Sequence, residues 1–516
     1  MRTVLPIMAA VLIACSWPLR AAEPVAEPVA EPTVRAQTAL QAEPPGPVVP
    51  AKRLNVLFVA VDDLKPAIAA AGDRHAKTPN MDALARRGTV FTHAYCQQAV
   101  CSPSRSSLLT GRRPDSTKVY DLVTHFRKAL PDVVTLPEHF KANGYYAHGI
   151  GKIYHGGYDD ARSWSVPWEG TQGKGYGPEG LKIQAKAKAD AKAQAKDLDK
   201  ARGPAFEAPE VDDSTLNDGW TADRAIEILK ERKGKAEPFF LAVGFVKPHL
   251  PFVAPKKYWD LYDPDTLPLA SVTVPPKDAP AFAPSVWGEL RSYQGIPKSG
   301  AVPQATAVKL IHGYYAAVSY MDAQLGRVLE ALRDQGLAEN TVVILWGDHG
   351  WHLGDHGMWC KHSNYEQATR AALLMSVPGQ KTKGKQCDRL VEFVDIYPTL
   401  AEVCRLPKPQ GVEGYSFAPL LEDPAKSWKA AAFSQYPRGS KETGPLMGYA
   451  VRTDRYRYVE WRKKGAAEVV ARELYDYQTD ANEEANHAAD PANKNLIEEL
   501  AATLARGWRN NGPPRR

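Results

Sequence analysis

Several things are scarce in this 516-residue chain, and each absence excludes a class of protein. Cysteine is rare: Cys15, Cys96, Cys101, Cys360, Cys387 and Cys404 are the only six, with no CxxC pair. A disulfide scaffold and a paired-cysteine zinc site are thereby excluded. Charge of one sign is not in large excess, since 65 Lys and Arg face 59 Asp and Glu for a net +6, so the concentrated basic footprint of a nucleic-acid binder is absent. The apolar run Val4 to Cys15 is too short to span a bilayer. There is no GxSxG elbow and no HExxH helix. Gly175, Gly177 and Gly180 have GxGxxG spacing, but their Pro/Gly surroundings suggest neither a preceding strand nor a following helix to place a pyrophosphate. What remains is ordinary globular composition, 44% hydrophobic and 24% charged, long enough for about two to four domains or one large α/β unit with an appendage.

Arg2, the apolar run and the small residues around Ala21 and Ala22 read as an export signal over residues 1–22. Leu12-Ile13-Ala14-Cys15 also fits a lipoprotein signal that would put a lipid anchor on Cys15, and a buried N-terminal helix is the third reading. Residues 23–52, an Ala-Glu-Pro repeat followed by a Pro-rich stretch, have no apolar periodicity and form a linker.

From residue 53 the pattern changes. Asn55–Val61, Tyr145–Ile150, Phe239–Phe245 and Thr341–Trp346 are continuous apolar runs of the kind buried on both faces of a sheet. They alternate with helical patterns at Met81–Arg87, Thr221–Glu231 and Tyr314–Leu332, which predicts an α/β fold with a mainly parallel sheet. The catalytic domain is expected over 53–420. An Ala/Lys-rich insertion at 181–202, with Lys182, Lys186, Lys188, Lys192, Lys196 and Lys200, reads as a solvated helix, the alternative being a grip for a polyanion. Pro264–Pro303 reads as a long surface loop. Short strands at Ala432–Tyr436, Met447–Thr453, Tyr456–Trp461 and Glu473–Tyr477 predict a smaller antiparallel subdomain over 421–516.

Chemistry in such sheets is sought just beyond the strand ends. The first strand ends in Asp62-Asp63, and Asp348-His349 follow the Thr341 strand after one glycine. Carboxylates gathered there repel one another unless a cation lies between them, and oxygen donors suit Ca²⁺ or Mg²⁺. Asp-Asp alone is also a common turn or helix cap, and His352 with His356 leaves a zinc cluster open. Cys101 opens a helical run with Pro103 near its start and Gly111 at its stop. The helix field and Arg105 would stabilise an anion there; a Cys96–Cys101 disulfide and an inert thiol are the competing readings. Lys152, His155, Lys247, His249 and Lys361 also follow strands, where an oxyanion would sit, although single residues of these types are usually structural or solvated.

The string Cys101-Ser-Pro-Ser-Arg105, continued as Ser-Ser-Leu-Leu-Thr-Gly111, resembles the signature of the formylglycine-dependent (type I) sulfatases. Val61–Pro66, Gln97–Asp115, Phe239–Gly244 with Lys247-Pro248-His249, Asp348–Trp351 and Ser434–Arg438 are similar to the iduronate-2-sulfatase type, and the likeness runs from about residue 54 to 486. The resemblance implies an alkaline-phosphatase-like α/β sandwich with a C-terminal antiparallel sheet. It implies Ca²⁺, ahead of Mg²⁺, held by Asp62, Asp63, Asp348, His349 and an oxygen of modified Cys101. His349 stands where the wider pattern often has Asn. Arg105, Lys152, Lys361 and His249, with His155, become catalytic or sulfate-binding residues, and a formylglycine-generating enzyme becomes a maturation partner.

The expected activity is hydrolysis of sulfate esters on a sulfated carbohydrate, including a 2-O-sulfated uronic acid at a chain end, by a periplasmic, secreted or lipid-anchored protein. An ordinary thiolate attacking sulfur would stop at a thiosulfate, which formylglycine avoids. Two rivals are a phosphomonoester or phosphonate-ester hydrolase of the same superfamily, and a non-catalytic glycan-binding protein in which Cys101 stays unmodified.

Overall fold

Seven strands form the central sheet: β1 (Asn55–Val61), β2 (Thr89–Phe91), β3 (Tyr146–Gly151), β4 (Phe239–Phe245), β5 (Thr341–Gly347), β6 (Leu373–Ser376) and β7 (Lys385–Cys387). Their order is β7-β2-β6-β5-β1-β4-β3, and only β6 runs against its neighbours. The computed structural model describes residues 53–195, 197, 201–286 and 288–514. The expected signal, Cys15 and the linker to residue 52, together with Lys196 and Lys200 of the insertion, lie outside the described residues.

The continuous apolar strands have a simple cause. Successive side chains of a strand point to opposite faces, and here both faces are covered. Leu57, Val59 and Val61 of β1 join one core with Leu241, Val243, Val343 and Leu345, while Val56, Phe58 and Ala60 join the other with Phe240, Ile344 and Trp346. Helices α1 (Pro79–Arg87), α4 (Asn217–Arg232) and α5 (Gln304–Asp334) supply Met81, Ile228 and Val318 to the first core. Helix α2 (Cys101–Thr110) supplies Leu108 and Leu109 to the second. Helix α5 starts ten residues before the periodic stretch beginning at Tyr314; its first residues, 304–309, are exposed or half-buried, and its buried face begins only at Leu310 and Ile311. Among the described residues no helix is long and apolar enough to cross a membrane.

A second sheet, β8 (Ala432–Ser440), β9 (Gly444–Arg452), β10 (Tyr456–Lys463) and β11 (Val469–Asp476), is an antiparallel meander. Helix α6 (Lys494–Arg506) packs on it through Leu500. Buried ion pairs tie this sheet to the body. Glu392 accepts from Arg113, Lys429 and the backbone N–H of Phe433 on β8, and Glu366 accepts from Arg452 on β9 and Arg457 on β10.

Two loop readings are corrected by the structure. Gly177 is followed directly by helix α3 (Pro178–Ala193), which the Pro/Gly-rich surroundings concealed. The N–H groups of Gly177 and Gly180 both donate to the Glu207 carboxylate at 2.8 Å, so a side chain already fills the anion position at this helix start. Residues 264–303 do not simply cover the surface. They bury Ala283, Leu290, Tyr293 and Ile296 and turn inward through a single helical turn, Gly288–Arg291. Proline richness hid this because the segment packs by isolated apolar anchors rather than by a periodic face. Lys182, Lys186, Lys188 and Lys192 lie exposed on α3, on the solvated side of the helix.

Candidate active site

Parallel pairing of β1 with β5 sets Val61 beside Gly347 and brings Asp62, Asp63 and Asp348 to one sheet edge. All three are fully buried. The Asp63 N–H donates to Asp348 Oδ1 at 2.9 Å, and Tyr314 Oη donates to the Asp63 carbonyl at 2.8 Å. Asp63 has a φ of 60°, and these contacts hold that left-handed backbone. The pair is thus no free turn or helix cap. Gly347 is required by close approach, since a Cβ there would lie 2.3 Å from the Leu64 carbonyl oxygen.

Cys101 is the first residue of α2, and Gly111 closes that helix at φ 64°. The Cys101 sulfur lies 3.5 Å from Asp62 Oδ1 and 3.4 Å from His349 Nε2. Asp62, Cys101, Asp348 and His349 form a group whose ligand atoms all lie within 4.8 Å of one another, and Asp62, Asp63, Cys101 and His249 form a second. His349 Nδ1 sits 3.0 Å from the Gly350 carbonyl. A carbonyl only accepts, so Nδ1 carries hydrogen and Nε2 is the ring atom turned toward the carboxylates, 3.3 Å from Asp63 Oδ1. A cluster of buried carboxylates and one imidazole nitrogen fits a hard cation. The cysteines at 96, 101, 387 and 404 are all free thiols. His352 instead meets Ser363 Oγ at 3.0 Å, and His356 meets the Asn482 carbonyl at 2.6 Å, so the zinc alternative is not assembled.

Cations interleave with the acids. Arg105 donates from Nε to Asp348 at 2.8 Å and from a terminal nitrogen to Asp62 at 3.2 Å. Lys152 Nζ donates to Asp62 Oδ2 and lies 3.9 Å from the Cys101 sulfur. Lys361 Nζ reaches both Asp63 oxygens at 3.1 and 3.2 Å. His249 Nε2 stands 3.9 Å from Asp62 and from Asp63. Burial by itself would raise the Asp62 carboxyl, but Lys152, His249 and Arg105 hold it well below the usual carboxylate range. Burial pushes the Cys101 thiol well up, and Asp62 adds to that. The unmodified residue is therefore a protonated thiol, not a ready nucleophile.

Cys101, Lys152, His155, His249 and Lys361 all open onto one cavity of about 770 Å³. His155 lines it but reaches none of the acids: its Nδ1 is buried without a hydrogen-bond partner, and burial followed by Lys152 pushes its pKa down to about 4. Lys247 turns away, donating to the His249 and Pro251 carbonyls at 2.9 and 2.6 Å, and so shapes the loop that carries His249. Asp218 supports the same loop by accepting from the Val246 and Lys247 N–H groups at 2.7 and 2.8 Å.

Two wall residues went unread in the sequence. Glu289, from the inward-turning segment, meets His249 Nε2 at 3.1 Å and Lys361 Nζ at 2.9 Å. His362 lies 3.6 Å from Glu289 and 2.7 Å from Tyr436 Oη. His362 directly follows Lys361, which is a usable signal. Glu289 had none, because a lone acid in a Pro-rich stretch looks like any solvated side chain.

Comparison with known proteins places this arrangement. The sulfatase family model matches residues 54–405, and the model of the C-terminal region of N-sulphoglucosamine sulphohydrolase matches 354–510. Mouse iduronate 2-sulfatase is 33% identical, the match covering 87% of this chain and 93% of that protein. A protein solved with its substrate D-glucosamine-2-N,6-O-disulfate shares the fold at a TM-score of 0.70 and 20% identity, covering 90% of this chain and 99% of its own. The phosphonate monoester hydrolase of Silicibacter pomeroyi does so at 0.71 and 22%, covering 89% and 96%. Those two likenesses speak for the fold, an alkaline-phosphatase-like α/β architecture. The matched family spans every strand end that delivers an acid or a cation to the cavity, and it uses a metal ion and a formylglycine, for which the acid cluster and Cys101 offer the places. The chain therefore belongs to the sulfatase family and is a sulfuric ester hydrolase.

Proposed function

We propose that the protein is an exported, calcium-dependent sulfatase that removes sulfate from a sulfated carbohydrate, with Cys101 matured to formylglycine by a dedicated partner enzyme. The observation that carries this reading is the position of Cys101: its sulfur heads a helix among Asp62, His349 and Lys152 in the wall of the cavity. Asp62, Asp63, Asp348 and His349 would hold the ion together with an oxygen of the modified residue. Three carboxylates favour Ca²⁺ over softer metals. When present, the ion supplies positive charge that polarises oxygen, and the formylglycine hydrate supplies two hydroxyls on one carbon, one to attack sulfur and one to release sulfate.

The chain's own residues do the rest. Arg105 holds Asp62 and Asp348 aligned by donating to both. Lys152 and Lys361 offer ammonium groups to the sulfuryl oxygens, where charge spreads in the transition state. His249 is the candidate acid for the leaving oxygen, with Nδ1 against the Leu250 carbonyl and Nε2 facing the cavity. Burial would lower its pKa, but Asp63 and Asp62 reverse that and raise it. His155 lies one step further out and would contact the substrate rather than the reacting atoms.

A sugar substrate is supported by the mouse relative, an iduronate 2-sulfatase, and by the fold neighbour bound to a glucosamine disulfate. In this reading residues 53–420 are the catalytic domain with 181–202 inserted, residues 421–516 the subdomain, and residues 1–52 the export or lipoprotein signal with its linker.

Mass spectrometry of the Cys101 peptide from active protein made in the native host tests the mechanism: formylglycine is expected, and an unmodified thiol would sink it. Removal of metal with a chelator should abolish turnover of an aryl sulfate, with calcium restoring it; persistent activity without metal would rule out the calcium site. Glycan binding that survives Cys101→Ala, together with no sulfate release by the wild-type protein, would favour the non-catalytic alternative.

A further inference from the structure

We infer that Glu289 is a specificity-determining residue: a fixed carboxylate in the wall of the sulfate pocket that selects singly charged sulfate esters against doubly charged phosphate esters. The inference rests on the sulfatase reading of the site. Glu289 is the acid of the cavity lining, which it shares with Cys101, Lys152, His249 and Lys361. Its two oxygens are each taken by a different cation, Oε1 by His249 and Oε2 by Lys361, and His362 lies beyond Oε2. Lys361 and His249 are the groups expected to meet the ester oxygens and the leaving oxygen, so Glu289 subtracts one positive charge where the anion must sit.

Its position is built in. Leu290 and Tyr293 are buried at 1% and 2% exposure. The Gln294 N–H donates to the Gly203 carbonyl at 3.0 Å, and Arg202 stacks on the Tyr293 ring, tying the segment to the end of the lysine-rich insertion. The segment is therefore anchored within and just after the single turn that carries Glu289.

An alkyl or aryl sulfate bears one charge at neutral pH, whereas a phosphate monoester bears nearly two, its second pKa being about 6. A pocket with several cations would hold the dianion more strongly, and the fold does accommodate phosphorus chemistry, as the phosphonate monoester hydrolase neighbour shows for its own chain. A half-buried carboxylate beside the anion penalises the second charge in proportion to that charge, while costing the sulfate ester less. At the effective dielectric of a half-exposed site the difference amounts to roughly tenfold or more in relative rate.

The test compares kcat/KM for a matched aryl sulfate and aryl phosphate in fully matured protein. In E289Q, which keeps the shape and some hydrogen bonding, the phosphate-to-sulfate ratio should rise at least about tenfold over wild type, and E289D should keep the wild-type ratio. An unchanged ratio in E289Q overturns the inference, whether both rates rise together, as for a plug displaced by substrate, or fall together, as for a structural prop. A wild-type measurement covers the case of a poorly folding variant. His249, Lys361 and His362, the groups facing Glu289, act on both esters, so their titration enters both rates. The sulfate preference should then shrink as pH falls through about 6 and the phosphate ester becomes a monoanion; a preference that does not change overturns the inference. Matured wild-type protein that hydrolyses neither ester would overturn the sulfatase reading itself, a result distinct from sulfate turnover with an unmoved ratio.

Discussion

Single residues here carry unequal loads. Arg105 is 1% exposed and is the one guanidinium that bridges Asp62 and Asp348. Truncating it to Ala leaves two buried carboxylates without their shared partner, which costs about 3–5 kcal/mol. The expected result is a large drop in the denaturation midpoint of metal-free protein along with loss of activity. Cys101→Ala removes only a small buried group and leaves packing and ion pairs in place. Its midpoint should move by no more than about 1 kcal/mol while turnover vanishes. Equal destabilisation of the two variants, measured by chemical denaturation, would contradict these separate roles. At this scale the sequence was most legible for residues in ordered strings. Cys101, Arg105 and the Asp62-Asp63 pair sit in fixed local frames, a helix start and a strand end. Glu289 belongs to no such frame, and only its three-dimensional neighbours distinguish it from a surface acid.

Elements set the geometry between those residues. The register of β1 against β5 places Val61 opposite Gly347, so that one strand end presents Asp62-Asp63 and the other Asp348-His349. Gly347 lets the two ends close, and in Gly347→Ala the new methyl would collide with the Leu64 carbonyl at 2.3 Å. Backbone cannot yield as a side-chain tip can. The variant should lose affinity for the proposed calcium ion, read by titration calorimetry, and activity by about a hundredfold, because a displacement of about 1 Å at a catalytic centre has that effect. Wild-type calcium affinity in this variant would show that the close approach is not needed. The four long strands were readable because burial on both faces forces a continuous apolar run. The three-residue β2 and β7 and the four-residue β6 were not, since so short a segment carries no periodicity. The 264–303 segment was misread for the complementary reason: it is irregular chain whose inward turn depends on partners elsewhere.

For the whole molecule, the attachment of the C-terminal sheet makes a pH prediction. Burial alone would raise the Glu366 carboxyl, but Arg452, Arg457 and Arg370 hold it at about 2. Glu392 is likewise held at about 2, where Arg113 and Lys429 overcome burial. Each folded pKa lies below the unfolded value of about 4.5, so the stability these groups contribute is fully present above pH 4.5 and is lost as pH falls toward 2. Denaturation midpoints measured down this range should fall steeply in wild type. In E366Q stability should be lower at neutral pH but the acid slope shallower, with one group's share amounting to at most about 3 kcal/mol. An unchanged slope would mean that this pair does not link the sheet to the body. Proton linkage of this kind lies outside what local sequence can express, since Glu366 and Arg457 are 91 residues apart. The sequence by itself determined what short-range physics encodes: the buried strands, the helix opened by Cys101, the carboxylates at the strand ends and the kind of chemistry they serve. Only the tertiary structure decided which charges share one cavity, that His155 stands back while Glu289 enters, and how the second sheet is clamped. Those outcomes depend on distances between segments far apart in the chain, and burial turns such distances into large electrostatic effects.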